Sequence, residues 1–172
     1  MIINKFHTSD GCAELFITLE SKAASSFKTE VNAVISELQT AIPENFKLVW
    51  VRFHASDIAN QFAEIENESK KLSAMIAVTG QAPLSGAHLA VEAYAIESTA
   101  SVKCDSNNLC RIDFENYTQI FFNADKLTGI GSYDQMAEEF AHAEQIIESN
   151  SGTIENNLQR TWIYCRDIDN NY

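Results

Sequence analysis

Arg52 sits in the run LVWVRFH, 48–54, and a second run, RTWIYCR, 160–166, again sets guanidinium groups beside indole and phenol rings. If each run is a strand, alternate residues share a face. Trp50, Arg52 and His54 then stand together in the first, and Arg160, Trp162, Tyr164 and Arg166 in the second. An Arg pairs with a carboxylate through two parallel hydrogen bonds, while Trp or Tyr supplies a flat apolar wall. The ligand such a face suits is a small aromatic or enol carboxylate, with Arg52, Arg160, Trp162, Tyr164 and Arg166 as the binding residues. The same residue types also anchor subunit interfaces. Both readings remain open on the sequence.

Other groupings are weaker. His88, Glu92 and Tyr94 share a strand face, but His88 and Glu92 stand about 13 Å apart at ~3.3 Å per residue and form no dyad alone. Glu92 and Tyr94 are expected to hydrogen-bond to each other. Glu138 and His142 are one helical turn apart, a spacing that can hold a metal; with no third ligand in view, an exposed helix pair is expected and no metal. No P-loop, GxGxxG, GxSxG or HExxH occurs, so no cofactor is expected. Of the four Cys, Cys165 is expected in the core. Cys104 and Cys110 flank the polar turn DSNNL and are the one candidate disulfide.

These residues need elements to position them. ELFITLE, 14–20, reads as a strand, and Ser25 or Ser26 can cap a helix whose apolar stripe is Phe27, Val31, Val34, Ile35, Leu38 and Ile42, ended by Pro43. FKLVWVRF, 46–53, is the next strand, with Val49, Val51 and Phe53 toward the helices and Leu48, Trp50, Arg52 and His54 away from them. A second helix from about Asp57 carries Ile58, Phe62, Ile65, Ser69 and Leu72 on one side. SAMIAVTG and AHLAVEAYAIE follow as strands joined by a Pro and Gly turn. Then come a polar hairpin, SVKCDSNNLCRIDFE, a strand, YTQIFFN, and a helix with Ser132 and Gln135 as a capping box and Met136, Phe140, Ala143 and Ile147 as its buried stripe. RTWIYC is expected as the last strand, and the fold class is α+β.

The chain has 172 residues, enough for one complete small domain and part of a second, and a formal charge of -12. That charge repels phosphate backbones and anionic lipid alike, so neither a nucleic acid nor a membrane is expected as partner. The N-terminal MIINKFHTSDGC has no apolar h-region and no stretch approaches ~20 apolar residues, from which a cytoplasmic protein with reduced thiols is expected. VWVRFHASDIANQF, 49–62, matches TWIYCRDIDNNY, 161–172, with Trp50 on Trp162 and Asp57-Ile58 on Asp167-Ile168, allowing one gap. This points to a tandem duplication, residues 1–98 and 99–172. The second copy lacks the last helix and strands, which are expected either to be cut off or to be supplied by another chain.

The element order and the run WIYCRDIDNNY resemble the RidA (YjgF, endoribonuclease L-PSP-like) superfamily, and the tandem pair is similar to the chorismatases, with FFNADKLTGIGS, 121–132, in place of their Gly- and Ser-rich run. The resemblance implies a two-layer YjgF/chorismate-mutase-like sandwich, a mixed sheet with helices on one face. It also implies homotrimers with clefts between subunits, and chemistry on enol, keto or imino carboxylates. Departures oppose a working deaminase. Met75 stands where the family places its carboxylate-gripping Arg, Asn123-Ala124 replaces Ser-Gly, and Glu92 matches only one carboxylate of the family's pair. Two expectations follow: a chorismatase-like hydrolase, or a non-catalytic binding or assembly protein that self-associates through the Trp50/Arg52 and Trp162/Arg166 faces, which are expected to have no intrachain cover. Endoribonuclease action is disfavoured, since twelve Lys and Arg spread through so acidic a chain make no basic track.

Overall fold

The computed structural model describes residues 1–8, 11–97, 101–105, 108–123 and 128–164. These fall into two compact units, Met1–Asn123 and Ala124–Tyr172. The domain boundary expected between residues 98 and 99 lies outside the described residues. The chain is mixed α and β, with a mixed sheet and helices.

The first unit is built on a five-stranded sheet. Its strands are β1 (Ile2–His7), β2 (Ala13–Glu20), β3 (Phe46–Ala55), β4 (Met75–Thr79) and β5 (Leu89–Glu97), in the spatial order β1-β2-β5-β3-β4. Only β3 and β4 run parallel. SAMIAVTG and AHLAVEAYAIE therefore do not pair with each other; they flank β3 on opposite sides. In β2, Ala13, Leu15, Ile17 and Leu19 are buried while Phe16, Thr18 and Glu20 are exposed, the alternation of a strand with one face in a core. That core is completed by α1 (Phe27–Ala41), which contributes Val31, Val34, Ile35 and Leu38, and by α2 (Ile58–Ser69), which contributes Ile65. Ser26 caps α1 by accepting the Thr29 N–H at 3.2 Å.

Three local expectations need correction. The buried side of α2 is Gln61, Ile65 and Ser69, whereas Ile58 and Phe62 are 37% and 45% exposed. Ile65, Ser69 and Leu72 are buried as expected, and only the first part of the helix differs, where the Gln61 amide turns inward, its oxygen accepting the Asp57 N–H and its nitrogen donating to Ser56 Oγ. In β3 the register shifts between Leu48 and Trp50. This bulge places Val49 and Trp50 in one apolar cluster and leaves Phe46 and Leu48 with the helices, so Leu48 and Val49 exchange the faces that strict alternation assigns them. The third concerns β1, for which the sequence reading had no element: it pairs antiparallel with β2, and all six of its residues are exposed.

The face of the sheet opposite the helices is not bare. A second, antiparallel sheet of β6 (Ser101–Asp105), β7 (Leu109–Asp113) and β8 (Thr118–Phe122) supplies Cys110, Ile112, Val102, Phe114 and Phe121 to a cluster with Val49, Trp50, Met75 and Tyr94. Trp50 and Arg52 are 9% and 8% exposed, so the expectation that the Trp50/Arg52 face lacks intrachain cover is corrected. Cys104 and Cys110 are directly opposite in the β6–β7 ladder and form a disulfide, so these two thiols are not reduced.

The second unit holds α3 (Ser132–Ser149) and the short α4 (Ile154–Asn157). Gly131 rather than Ser132 is the N-cap of α3, and Gln135 donates to the Gly129 carbonyl instead of closing a capping box. Ala143 and Ile147 are buried as expected, while Phe140 is 39% exposed. The helix ends in a Schellman motif, with Gly152 N–H on the Ile147 carbonyl, Ser151 N–H on that of Glu148, and Ser151 itself at φ 65°. The strand expected at RTWIYC is absent from the described part of that run. Residues 158–164 join no ladder, and Trp162, Ile163 and Tyr164 are 47%, 56% and 48% exposed. Apolar alternation alone makes no strand; it needs a neighbour to take up its backbone N–H and C=O groups.

Candidate functional site

The non-helical face of the five-stranded sheet has two halves. In one half, Trp50 on β3 is cross-strand partner to Tyr94 on β5 and to Met75 on β4. An aromatic row crosses the sheet here. Phe6 meets Phe16 edge-on at 5.8 Å, Phe16 stacks on Tyr94 at 4.9 Å, and Tyr94 lies 6.2 Å from Trp50. Tyr94 donates to Glu14 Oε1 at 2.8 Å, not to Glu92 as expected, because Glu14 lies across the β2–β5 pairing while Glu92 is engaged elsewhere. Burial first, and the Glu14 carboxylate second, push the phenol well above its usual pKa.

Beside that row, Arg52 and Glu92 are direct partners across β3 and β5; the Arg52 and His54 side chains are largely covered and that of Glu92 is 44% exposed. Arg52 Nη1 donates to Glu92 Oε2 at 3.1 Å, and His54 Nε2 lies 3.4 Å from the same oxygen. The guanidinium also stacks over the Trp50 ring, 5.4 Å from its centroid. The strand period and the bulge together produce this grouping. From Trp50 onward every second residue of β3 faces away from the helices, so Arg52 and His54 reach Glu92 from one strand. The arrangement provides a carboxylate held by a buried cation, beside an imidazole, on a surface half covered by aromatic rings. Chemically it can orient a ligand by hydrogen bonding or exchange a proton at Glu92 or His54.

Of the residues expected to bind a ligand, Arg52 stands in this cluster. Arg160, Trp162 and Tyr164 belong to the second unit, where the Arg160 guanidinium stacks over the Trp162 ring at 5.2 Å. Arg166, with Cys165, lies outside the described residues. Glu138 takes the Thr128 N–H and hydroxyl at 2.8 and 2.7 Å, and these bonds hold its carboxyl below the usual range. Among the described residues no three His, Cys, Asp or Glu gather where they could hold a metal ion. Among them, too, no helix is long and apolar enough to cross a membrane.

A second polar cluster was missed from sequence. Glu30 on α1 is 3% exposed, and its oxygens lie 3.0 and 3.1 Å from His88 Nδ1. It also accepts the Ser21 hydroxyl and the Ala24 N–H, each at 3.2 Å. Burial pushes its carboxyl upward; the His88 ring and these two donors outweigh burial and hold it below the ordinary glutamate value. The signal was present: Glu30 occupies the position one turn before Val34 and two before Leu38 on the buried stripe, where an acid needs a partner.

No family model matches the chain, and no curated protein is significantly similar to it.

Proposed function

We propose that this chain is a small-molecule-binding protein on a RidA-superfamily type of scaffold, with its site on the sheet face away from the helices, at Arg52, His54 and Glu92, and without the family's deaminase machinery. The observation that carries the reading is the Arg52–Glu92–His54 cluster itself. Arg52, 8% exposed, fixes the Glu92 carboxylate, whose side chain is 44% exposed, and an oriented, exposed carboxylate can hold a ligand by hydrogen bonding. A mixed sheet with two helices on one face is the layer arrangement the resemblance implies, and it supports the scaffold. Met75 supports the loss of deaminase chemistry, because it is 7% exposed beneath the second sheet and carries no group that can grip a carboxylate. The tandem duplication of residues 1–98 and 99–172, and self-association as a homotrimer or other homo-oligomer, belong to the same proposal.

Turnover of imino acids should not exceed the rate in free solution. Ligand binding should perturb the amide resonances of β3 and β5 near Arg52 and Glu92 when benzoate, 3-hydroxybenzoate, chorismate and small aromatic amines are titrated in turn. Accelerated deamination, or no shift on these strands with any of the compounds, would reject the proposal. A hydrolase reading is favoured by one observation, the 3.4 Å approach of His54 to Glu92, an imidazole and a carboxylate that could share a proton. Hydrolysis of chorismate that disappears in Glu92→Gln would establish it.

A further inference from the structure

The geometry points to the outer edge of β1 as a pairing surface for a second copy of this chain, with the two β1 strands antiparallel about a two-fold axis at Asn4. This rests on the self-association proposed above and names its interface. β1 ends the order β1-β2-β5-β3-β4, and among the described residues no strand lies beyond it. The backbone N–H and C=O groups directed away from β2 therefore form an open template for another strand. Native edges are commonly closed to such pairing by Pro, a bulge or an outward charge. β1 has none of these. IINKFH contains no Pro, and its register with β2 runs from Ile2↔Thr18 to His7↔Ala13 without a shift. Its one Lys is turned back over its own sheet, Lys5 Nζ lying 5.7 Å from the centroid of the Phe46 ring. Ile2, Ile3 and Phe6 are 64%, 44% and 54% exposed, so both faces of this edge present apolar side chains to solvent.

The strand is complementary to itself. Directly opposed residues of an antiparallel pair share a face, and a two-fold axis perpendicular to the sheet makes the joint isologous. With the axis at Asn4, Ile2 stands opposite Phe6 of the partner subunit, Ile3 opposite Lys5 of the partner subunit, and Asn4 opposite its own copy. Two apolar cross-strand pairs form, and no like charges meet. An axis one residue along, at Lys5, would set two ammonium groups against each other. The Ile2 and Phe6 pairs lie on the face where Phe6 meets Phe16, so the aromatic row of Trp50, Tyr94, Phe16 and Phe6 continues across the joint. In a chain of charge -12, β1 contributes no Asp or Glu to that joint. Six residues from each copy make a smaller contact than the ~1,600 Å² of a standard stable interface, so the dimer is a weak, concentration-dependent one.

Sedimentation equilibrium at about 0.15 M salt tests the pairing, with a dimer of the 19.2 kDa chain expected as concentration rises. Ile2→Glu and Ile3→Glu add the same charge at neighbouring exposed positions. The first sets a carboxylate against Phe6 of the partner subunit and should weaken dimerisation by about tenfold, since two apolar pairs are lost per dimer. The second sets one opposite Lys5 of the partner subunit and should not weaken it. Asn4→Cys should give a disulfide-linked dimer on mild oxidation with copper phenanthroline, while Ile3→Cys should give no more than the parent. Equal weakening by the two Glu variants, or no more linked dimer from Asn4→Cys than from the parent, would overturn the Asn4-centred pairing. Association that neither Glu variant changes would place the interface elsewhere and leave the self-association reading standing. A monomer at every concentration would remove both.

Discussion

Glu30 keeps its charge where an unpaired carboxylate would be costly, and its partners decide how stability follows pH. Because its pKa is held below the ordinary value in the folded state, the stabilisation is fully present above the normal glutamate range and is lost as pH falls through the folded pKa. Glu30→Gln should therefore lower neutral-pH stability by roughly 1–3 kcal/mol, the usual cost of disrupting hydrogen bonds to a charged group. Denaturation curves of variant and parent should converge on acidification below the ordinary glutamate range. Ser151 offers a change of the opposite sign. It holds φ 65° at the helix end, a conformation that glycine adopts without the Cβ clash. Ser151→Gly should raise the midpoint of thermal unfolding of the second unit, by up to about 1 kcal/mol in stability. At this scale the sequence was informative where one strand or helix settled the matter: Arg52 and His54 share a face by period alone. Their partner was not legible, because the pairing of Arg52 with Glu92 depends on which strand lies beside β3.

The β6–β7 hairpin is tied by Cys104–Cys110 and lies against the Leu48–Trp50 bulge through the apolar cluster it shares with Val49 and Trp50. Closing so short a loop restricts the unfolded hairpin by about 2 kcal/mol on the chain-entropy account. Replacing both cysteines by Ser should cost about that much and increase acrylamide quenching of Trp50, measured in a Trp162→Phe background. Unchanged quenching and an unchanged denaturant midpoint would show that the hairpin holds without its bond. Elements with a strong local period were the ones the sequence revealed. α1 follows its 3.6-residue stripe, and β2 its alternation. The first part of the α2 face escaped because Gln61, a polar residue, takes an inward position for capping. The run at 160–164 has strand composition but no ladder, and composition cannot report on a partner. β1, with every residue exposed, had no burial pattern to betray it.

For the whole molecule, the proposed self-association must overcome a charge of -12 on each copy. Raising ionic strength from 0.01 to 0.15 M shortens the Debye length from about 30 to about 8 Å, so association should strengthen with salt. Light scattering at high micromolar concentration should show masses above 19.2 kDa, more so in added salt. A monomer at every salt concentration would reject the assembly half of the proposal. Layer class and helix-facing core were readable from one chain's periodicities; the second sheet lying over Trp50 was not, since nothing local links residues 101–122 to that face.

The strand order β1-β2-β5-β3-β4 also fixes a sequence of events in time. The central strand, β5, joins β2 to β3 and is made last of the five, with Glu14 paired to Ile96 and Phe46 to Glu97. A chain leaving the ribosome carries β1–β2 and α1–β3–α2–β4 as two parts that share no ladder until β5, from Leu89 onward, has emerged. Such long-range closure is slow relative to helix formation. The inner edges of β2 and β3 stay open through that wait, so the polypeptide is most exposed to mispairing just before its sheet is completed.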